Sequence, residues 1–93
     1  MKLVWSARFR RAVRWLARRK PDSLDDLEVV LPQLENDPRH PSLRTHKLKG
    51  ELRECFACSV GYDCRIVFEF QRNSKTKETE ILLLTVGTHD EVY

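Results

Sequence analysis

The chain has 93 residues, a length that fits one domain, which at this size buries roughly 60–70% of the surface its unfolded chain exposes. Its hydrophobic fraction of 41% and charged fraction of 33% suit a globular protein. No apolar run approaches the ~20 residues of a membrane-spanning helix, which excludes a transmembrane role. The opening Met1-Lys2-Leu3-Val4-Trp5-Ser6 runs into arginines and is too short for a signal-peptide core, so a cytoplasmic protein is expected.

The net charge of +3 hides a strong segregation. Lys2, Arg8, Arg10, Arg11, Arg14, Arg18, Arg19 and Lys20 precede Pro21 with no acid among them. From Asp22 to Asp37 there are six acids and no base; from Arg39 to Arg53 there are five bases against Glu51. Segregated positive charge suggests a polyanionic partner. A solvated helix face, or pairing of the acidic stretch with the basic one, explains it as well.

In chain order, Lys2 to Trp5 reads as a short strand. A helix follows from about Ala7 to Lys20, with Phe9, Ala12, Val13, Leu16 and Ala17 at helical spacing. Pro21 stops it. A second helix begins near Asp22 or Ser23, buries Leu24, Leu27, Val30, Leu31 and Leu34, and ends at Asn36-Asp37-Pro38. Pro32 should kink its last turn. A basic segment from Arg39 to Gly50 leads to a strand over Glu51–Val60, with Leu52, Phe56, Cys58 and Val60 on one face. A turn at Gly61-Tyr62 opens a strand over Asp63–Gln71, with Cys64, Ile66, Phe68 and Phe70 inward and Asp63, Arg65, Val67 and Glu69 outward. After a polar loop, the last strand, Glu80–Thr88, places Leu82, Leu84 and Val86 together on one face.

The expected fold is therefore α+β, in the order β-α-α-β-β-β. A helical hairpin packs on one face of a small, mainly antiparallel four-stranded sheet. The other face is part apolar and part polar, and an uncovered face of that kind should bind something.

Three cysteines are an odd number and do not suggest a disulfide framework. The Cys55-x-x-Cys58 spacing falls in an expected strand, where residues three apart point to opposite faces. It is read as two ordinary thiols. The histidines lack ligand spacing and no acidic cluster accompanies them, so neither a metal site nor a cofactor is expected.

The residues able to do chemistry are His46, Lys47 and Lys49 in the basic loop, Asp63 and Arg65 at the start of the second long strand, His89 after the last strand, and Tyr93. Arg44 and Arg53 flank the loop as further phosphate contacts. Metal-free RNA cleavage needs a base for the 2′-hydroxyl, an acid for the leaving 5′-oxygen, and cations around the phosphoryl group. Histidine and arginine are suited to those tasks. Each residue also has a structural reading: a surface histidine, a strand-end histidine, an exposed Asp63–Arg65 ion pair, a tyrosine packed on the sheet edge. Residue types alone do not choose between them.

As strings, three blocks say more. Leu34-Glu35-Asn36-Asp37-Pro38 with Pro41-Ser42-Leu43-Arg44-Thr45-His46-Lys47-Leu48-Lys49-Gly50 resembles the helix end and loop of RelE/StbE-type toxins. Ser59-Val60-Gly61-Tyr62-Asp63-Cys64-Arg65-Ile66-Val67-Phe68 is similar to that family's central hairpin. Leu82-Leu83-Leu84 followed by Gly87-Thr88-His89-Asp90-Glu91-Val92-Tyr93 resembles its carboxy-terminal signature. The blocks keep the family's order over about residues 34–93, and the branch they resemble is YafQ- and StbE-like.

The resemblance to the RelE/ParE superfamily implies a toxin of a type II toxin–antitoxin pair that cleaves messenger RNA in the ribosome. It implies as partners a cognate antitoxin covering the active face, the ribosome and mRNA, and a toxin–antitoxin hetero-oligomer that binds operator DNA through the antitoxin. It assigns catalytic or substrate-orienting roles to His46, Asp63, His89 and Tyr93, and phosphate stabilisation to Arg65. Three positions depart from the YafQ-like pattern: Ser59 stands for a histidine, Cys64 for a tryptophan and Thr85 for an arginine. Arg53 or Lys49 is the expected substitute for the missing charge. A ParE-like inhibitor of DNA gyrase and a catalytically decayed toxin share the fold and stay open as alternatives.

Overall fold

The computed structural model of the chain describes residues 1–88. Its elements are β1 (Leu3–Trp5), α1 (Ala7–Arg19), α2 (Pro21–Asn36), β2 (His46–Lys47), β3 (Phe56–Val60), β4 (Cys64–Arg72) and β5 (Thr79–Thr88). Short 3-10 turns occupy Pro41–Leu43 and Gly50–Leu52.

α1 starts where the sequence can cap it. The Ser6 hydroxyl accepts from the Phe9 N–H at 3.0 Å, satisfying one of the orphan donors of a helix start. The same hydroxyl donates to the Leu84 carbonyl at 3.2 Å, tying the helix start to β5. Pro21 does end α1, and it also serves as the first residue of α2, where its missing N–H costs nothing. The helix therefore begins one or two residues earlier than Asp22 or Ser23 suggests. Pro32 lies inside α2, which continues past it to Asn36.

The sheet has five strands, not four, in the order β1-β5-β4-β3-β2. β1 runs parallel to β5, and the other pairs are antiparallel. The fifth strand is His46–Lys47, which the sequence reading left in a loop. It is two residues long and carries no apolar alternation, so it leaves no periodic signal. β3 begins at Phe56 rather than Glu51, because Gly50 takes a left-handed φ of 71° and the chain coils through Leu52 before extending.

Phe9 and Leu16 of α1 and Leu27, Val30 and Leu34 of α2 pack on Cys58, Val60, Cys64, Ile66, Phe68, Ile81, Leu83 and Val86 to form the main core. At its edge, Phe56, Phe68 and Phe70 form a triad with centroids 5.2–5.9 Å apart, and the Arg39 guanidinium lies over Phe56 and Phe70.

The expectation that Leu82, Leu84 and Val86 share a face is corrected. The ladder slips between Val67 and Phe68: Val67 pairs with Thr85 but Phe68 with Leu83, so Leu84 is the extra residue of a bulge. Ile81, Leu83 and Val86 therefore face the helices, whereas Leu84 joins Val67 on the opposite side. That opposite side is not fully open either. Leu48, Leu52 and Cys55 close over Val67 and Leu84 as a second small cluster, while His46 stays exposed and Ser59 and Arg65 half-buried on that face. Cys55, just before β3, and Cys58, within it, fall in different clusters, and all three cysteines are free.

Candidate active site

Cross-strand pairing defines the face turned away from the helices, where Ala57, Val67 and Thr85 are buried and His46 is exposed. His46 pairs with Ala57, Ala57 with Val67 and Val67 with Thr85, forming one row across four strands. The next row is Ser59, Arg65 and Gly87. Directly paired residues project to the same side, so His46 and Arg65 share a face. With strands ~4.8 Å apart and ~3.4 Å per residue, their Cα atoms are about 12 Å apart on the diagonal. Both side chains are long enough to close that span around one phosphodiester.

The Arg65 guanidinium folds back on its own strand: its Nη1 donates to the Cys64 carbonyl at 2.8 Å. Across from it stands Gly87, which offers no side chain to crowd the guanidinium. Arg44 approaches from the other side. It ends the Pro41–Leu43 turn in a left-handed conformation, φ 52° and ψ 39°, unusual for a residue with a Cβ. Arg44 and Arg65, with Ser42, Ser59, Gly61 and Tyr62, line one depression of about 400 Å³. A concavity lined by two arginines and two serines has the chemistry to take a phosphate group, although the Ser42 hydroxyl is also within 2.8 Å of His40 Nδ1.

The imidazole of His46 is oriented by the same turn. Its Nδ1 lies 3.1 Å from the Arg44 carbonyl. A carbonyl can only accept, so Nδ1 carries the proton in that contact and the lone pair of the neutral ring is on Nε2.

Asp63 is placed differently from the sequence expectation. It lies outside β4, and its Oδ2 accepts from the Lys20 ammonium at 2.8 Å, on the side of the helical hairpin. It is not an ion-pair partner of Arg65 among the described residues. The hydrogen bond from Lys20 holds its carboxyl below the usual aspartate range, so it is an anion at neutral pH.

The basic loop divides. Lys47 pairs with Phe56 and so projects to the face opposite His46. Lys49 lies with Leu48, Glu51 and Leu52 around a separate hollow. Arg53 is exposed, with its Nε 3.9 Å from Glu54. Arg8 and Arg11 of α1 share a depression with Thr85, Val86, Ala12 and Trp15. His89 and Tyr93 lie outside the described residues. Thr88 pairs with Cys64 and Gly87 with Arg65, so the chain reaches the end of β5 beside this site.

Sequence reasoning missed Ser42 and Tyr62. Tyr62 was legible only as a turn residue, and the one available signal was an aromatic in a turn where no core needs it. Among the described residues no group of three or more His, Cys, Asp or Glu is placed to hold a metal ion. No helix among them is long and apolar enough to cross a membrane.

A hairpin of helices on one side of a mixed sheet is the fold of the RelE/YafQ-like toxins. YafQ from Escherichia coli strain BL21(DE3) matches with a TM-score of 0.80 at 16% identity, covering 99% of this chain and 97% of that one. A metal-bound toxin from Helicobacter pylori matches at 0.76 and 24% identity, over 100% and 99% of the two chains. The Escherichia coli DinJ–YafQ complex matches at 0.73 and 17% identity, over 99% and 97%. No curated protein sequence matches the chain. The family model for YafQ, described as a bacterial toxin of a type II toxin–antitoxin system, matches residues 1–93, and the chain belongs to that family.

Proposed function

We propose that this toxin is an endoribonuclease that cuts messenger RNA on the ribosome without a metal. One observation carries the reading: Arg44 and Arg65 share a depression on the sheet face that also presents His46. In the reaction a base removes the proton of a 2′-hydroxyl, and that oxygen attacks the adjacent phosphorus. The bond to the 5′-oxygen breaks as an acid protonates it, leaving a 2′,3′-cyclic phosphate and a 5′-hydroxyl. Arg65 and Arg44 stabilise the charge gathering on the phosphoryl oxygens. His89 is the leading acid–base residue and His46, through Nε2, its partner; Tyr93 orients the substrate. The roles of His89 and Tyr93 rest on the family resemblance. Asp63, fixed as an anion by Lys20, secures the turn beside the site.

The arginines of α1 and the 39–53 segment dock ribosomal RNA, a contact that weakens with salt. The DinJ–YafQ complex supports a cognate antitoxin as a partner of this chain. Operator binding then belongs to the toxin–antitoxin complex, through the antitoxin.

Expression of the wild type, Arg65→Ala and His89→Ala in cells lacking an antitoxin tests the reading. The wild type should arrest growth and leave codon-dependent mRNA ends bearing 5′-hydroxyls; the variants should not. Equal arrest by all three with no new RNA ends would sink the nuclease assignment. Gyrase-dependent DNA damage in its place would point to the ParE-like activity.

A further inference from the structure

We propose that Tyr62 is a stacking platform for an unpaired base of the RNA strand whose phosphate sits between Arg44 and Arg65. The inference rests on the site described above but names a residue and a contact beyond it.

Tyr62 is 98% exposed, the most exposed of the large hydrophobic side chains among the described residues. Its ring therefore adds nothing to the core, and its whole face is available to a ligand. The turn that carries it is fastened on both sides to the helical layer. Gly61, at a left-handed φ of 60°, abuts Asp26 of α2, and Asp63 is bonded to Lys20 at the α1–α2 junction. Tyr62 is thus a fully exposed aromatic on an anchored turn, lining the same concavity as Arg44 and Arg65.

The chemistry favours nucleic acid over a protein partner. The depression is lined by two serines, two arginines, a glycine and Tyr62, with no aliphatic side chain for a peptide's apolar anchor. A flat ring beside phosphate-binding arginines is how single strands are held: cations track the backbone and aromatic faces stack the bases. Every base has a π-face, so the contact is tolerant of sequence. A base stacked on Tyr62 is unstacked from its neighbour, which helps open the sugar–phosphate link for in-line attack.

The experiment measures binding, separately from cleavage. The full chain is titrated into a labelled single-stranded RNA of about ten nucleotides, methylated at every 2′-oxygen so that it cannot be cut. Tyr62→Ala should weaken binding by about 5- to 150-fold, the range that base–aromatic stacking carries. Tyr62→Phe should recover most of the affinity, because stacking needs the ring and not the hydroxyl. An RNA with one base removed at the stacked position should bind wild type and Tyr62→Ala alike. Unchanged affinity in Tyr62→Ala overturns the proposal, and so does a wild type that does not bind the RNA. A protein that cuts mRNA in cells while Tyr62→Ala binds normally loses only this inference. One that binds through Tyr62 yet never cuts loses only the nuclease reading.

Discussion

The Lys20 ammonium donates to the Asp63 carboxylate at 2.8 Å and so joins the helical hairpin's corner to the β3–β4 turn, across 43 residues of sequence. Lys20 ends α1 and precedes α2, while Asp63 stands immediately before β4. Each side chain is partly exposed, at 32% and 51%, so the pair works mainly by positioning. Its sign with pH is definite. The Asp63 carboxyl is lowered in the folded chain, chiefly by the Lys20 hydrogen bond, so its stabilising effect is present above the unfolded aspartate pKa. The effect is lost as pH falls through the folded value. Urea denaturation from pH 7 down to pH 2 should show a wild-type loss that Asp63→Asn does not. Lys20→Met should remove the same acid-range difference, and additive effects of the two substitutions would rule out the coupling.

Gly61 is the second fastening of the same turn. Its φ of 60° is open to glycine and strained for alanine, and a Cβ there would strike the carboxylate of Asp26. Gly61→Ala should cost about 1–2 kcal/mol from backbone conformation alone. The clash adds less, because the carboxylate end of Asp26 can swing away. Equilibrium unfolding of Gly61→Ala and of Gly61→Ala/Asp26→Ala separates the two: the double variant should recover only the smaller part. If it recovers the whole loss, the left-handed turn is not the cause.

The fold's main lines were readable because they depend on periodicity. Phe9 and Leu16, then Leu27 and Leu34, recur at helical spacing, and Cys64, Ile66 and Phe68 alternate on β4; these residues form the core. The sheet's exceptions come from local geometry that leaves no repeat. The bulge at Leu84 puts Thr85 on the same side as Leu84, breaking the alternation that a regular strand would keep. His46–Lys47 is an edge strand because β3 supplies its partners, a tertiary cause that no local pattern records. The site was half legible. Arg65 could be placed on the face turned away from the helices, but His46, in a strand the sequence does not mark, could not. Nor could the direction of Asp63, since it depends on a lysine 43 positions away. Arg44 entered the site through a turn conformation that residue type does not reveal.

Cys58 lies among Val60, Ile66 and Phe68 with no exposed surface, and burial pushes its thiol up to about 12. A thiol that ionises at about 9 when unfolded and about 12 when folded makes the native state progressively less stable between those values. The unfolded chain sheds its proton first. The slope for this group is on the order of 1 kcal/mol per pH unit. Cys58→Ala should flatten the alkaline arm of the stability–pH curve while lowering its plateau through the cavity left behind. Thiol-reactive reagents at pH 8 should leave Cys58 unmodified in the folded protein and label it in urea. Rapid labelling without denaturant would contradict the burial.

Arg65 tests the site most directly, because its side chain can be removed without touching the core. It projects from β4 on the face turned away from the helices, its guanidinium held by the Cys64 carbonyl, opposite Gly87. If it stabilises the transition state, Arg65→Ala should lower single-turnover mRNA cleavage on ribosomes by on the order of 10²–10³, the loss seen when one preorganised donor is taken from a developing oxyanion. Arg65→Lys should recover little, since an ammonium supplies charge without the planar fork. Ribosome binding should change far less than the rate if the arginines of α1 supply most of the docking. Raised salt should then weaken binding of wild type and Arg65→Ala with nearly the same slope. A variant that cuts at the wild-type rate, with binding and fold intact, would move the chemistry away from this depression altogether.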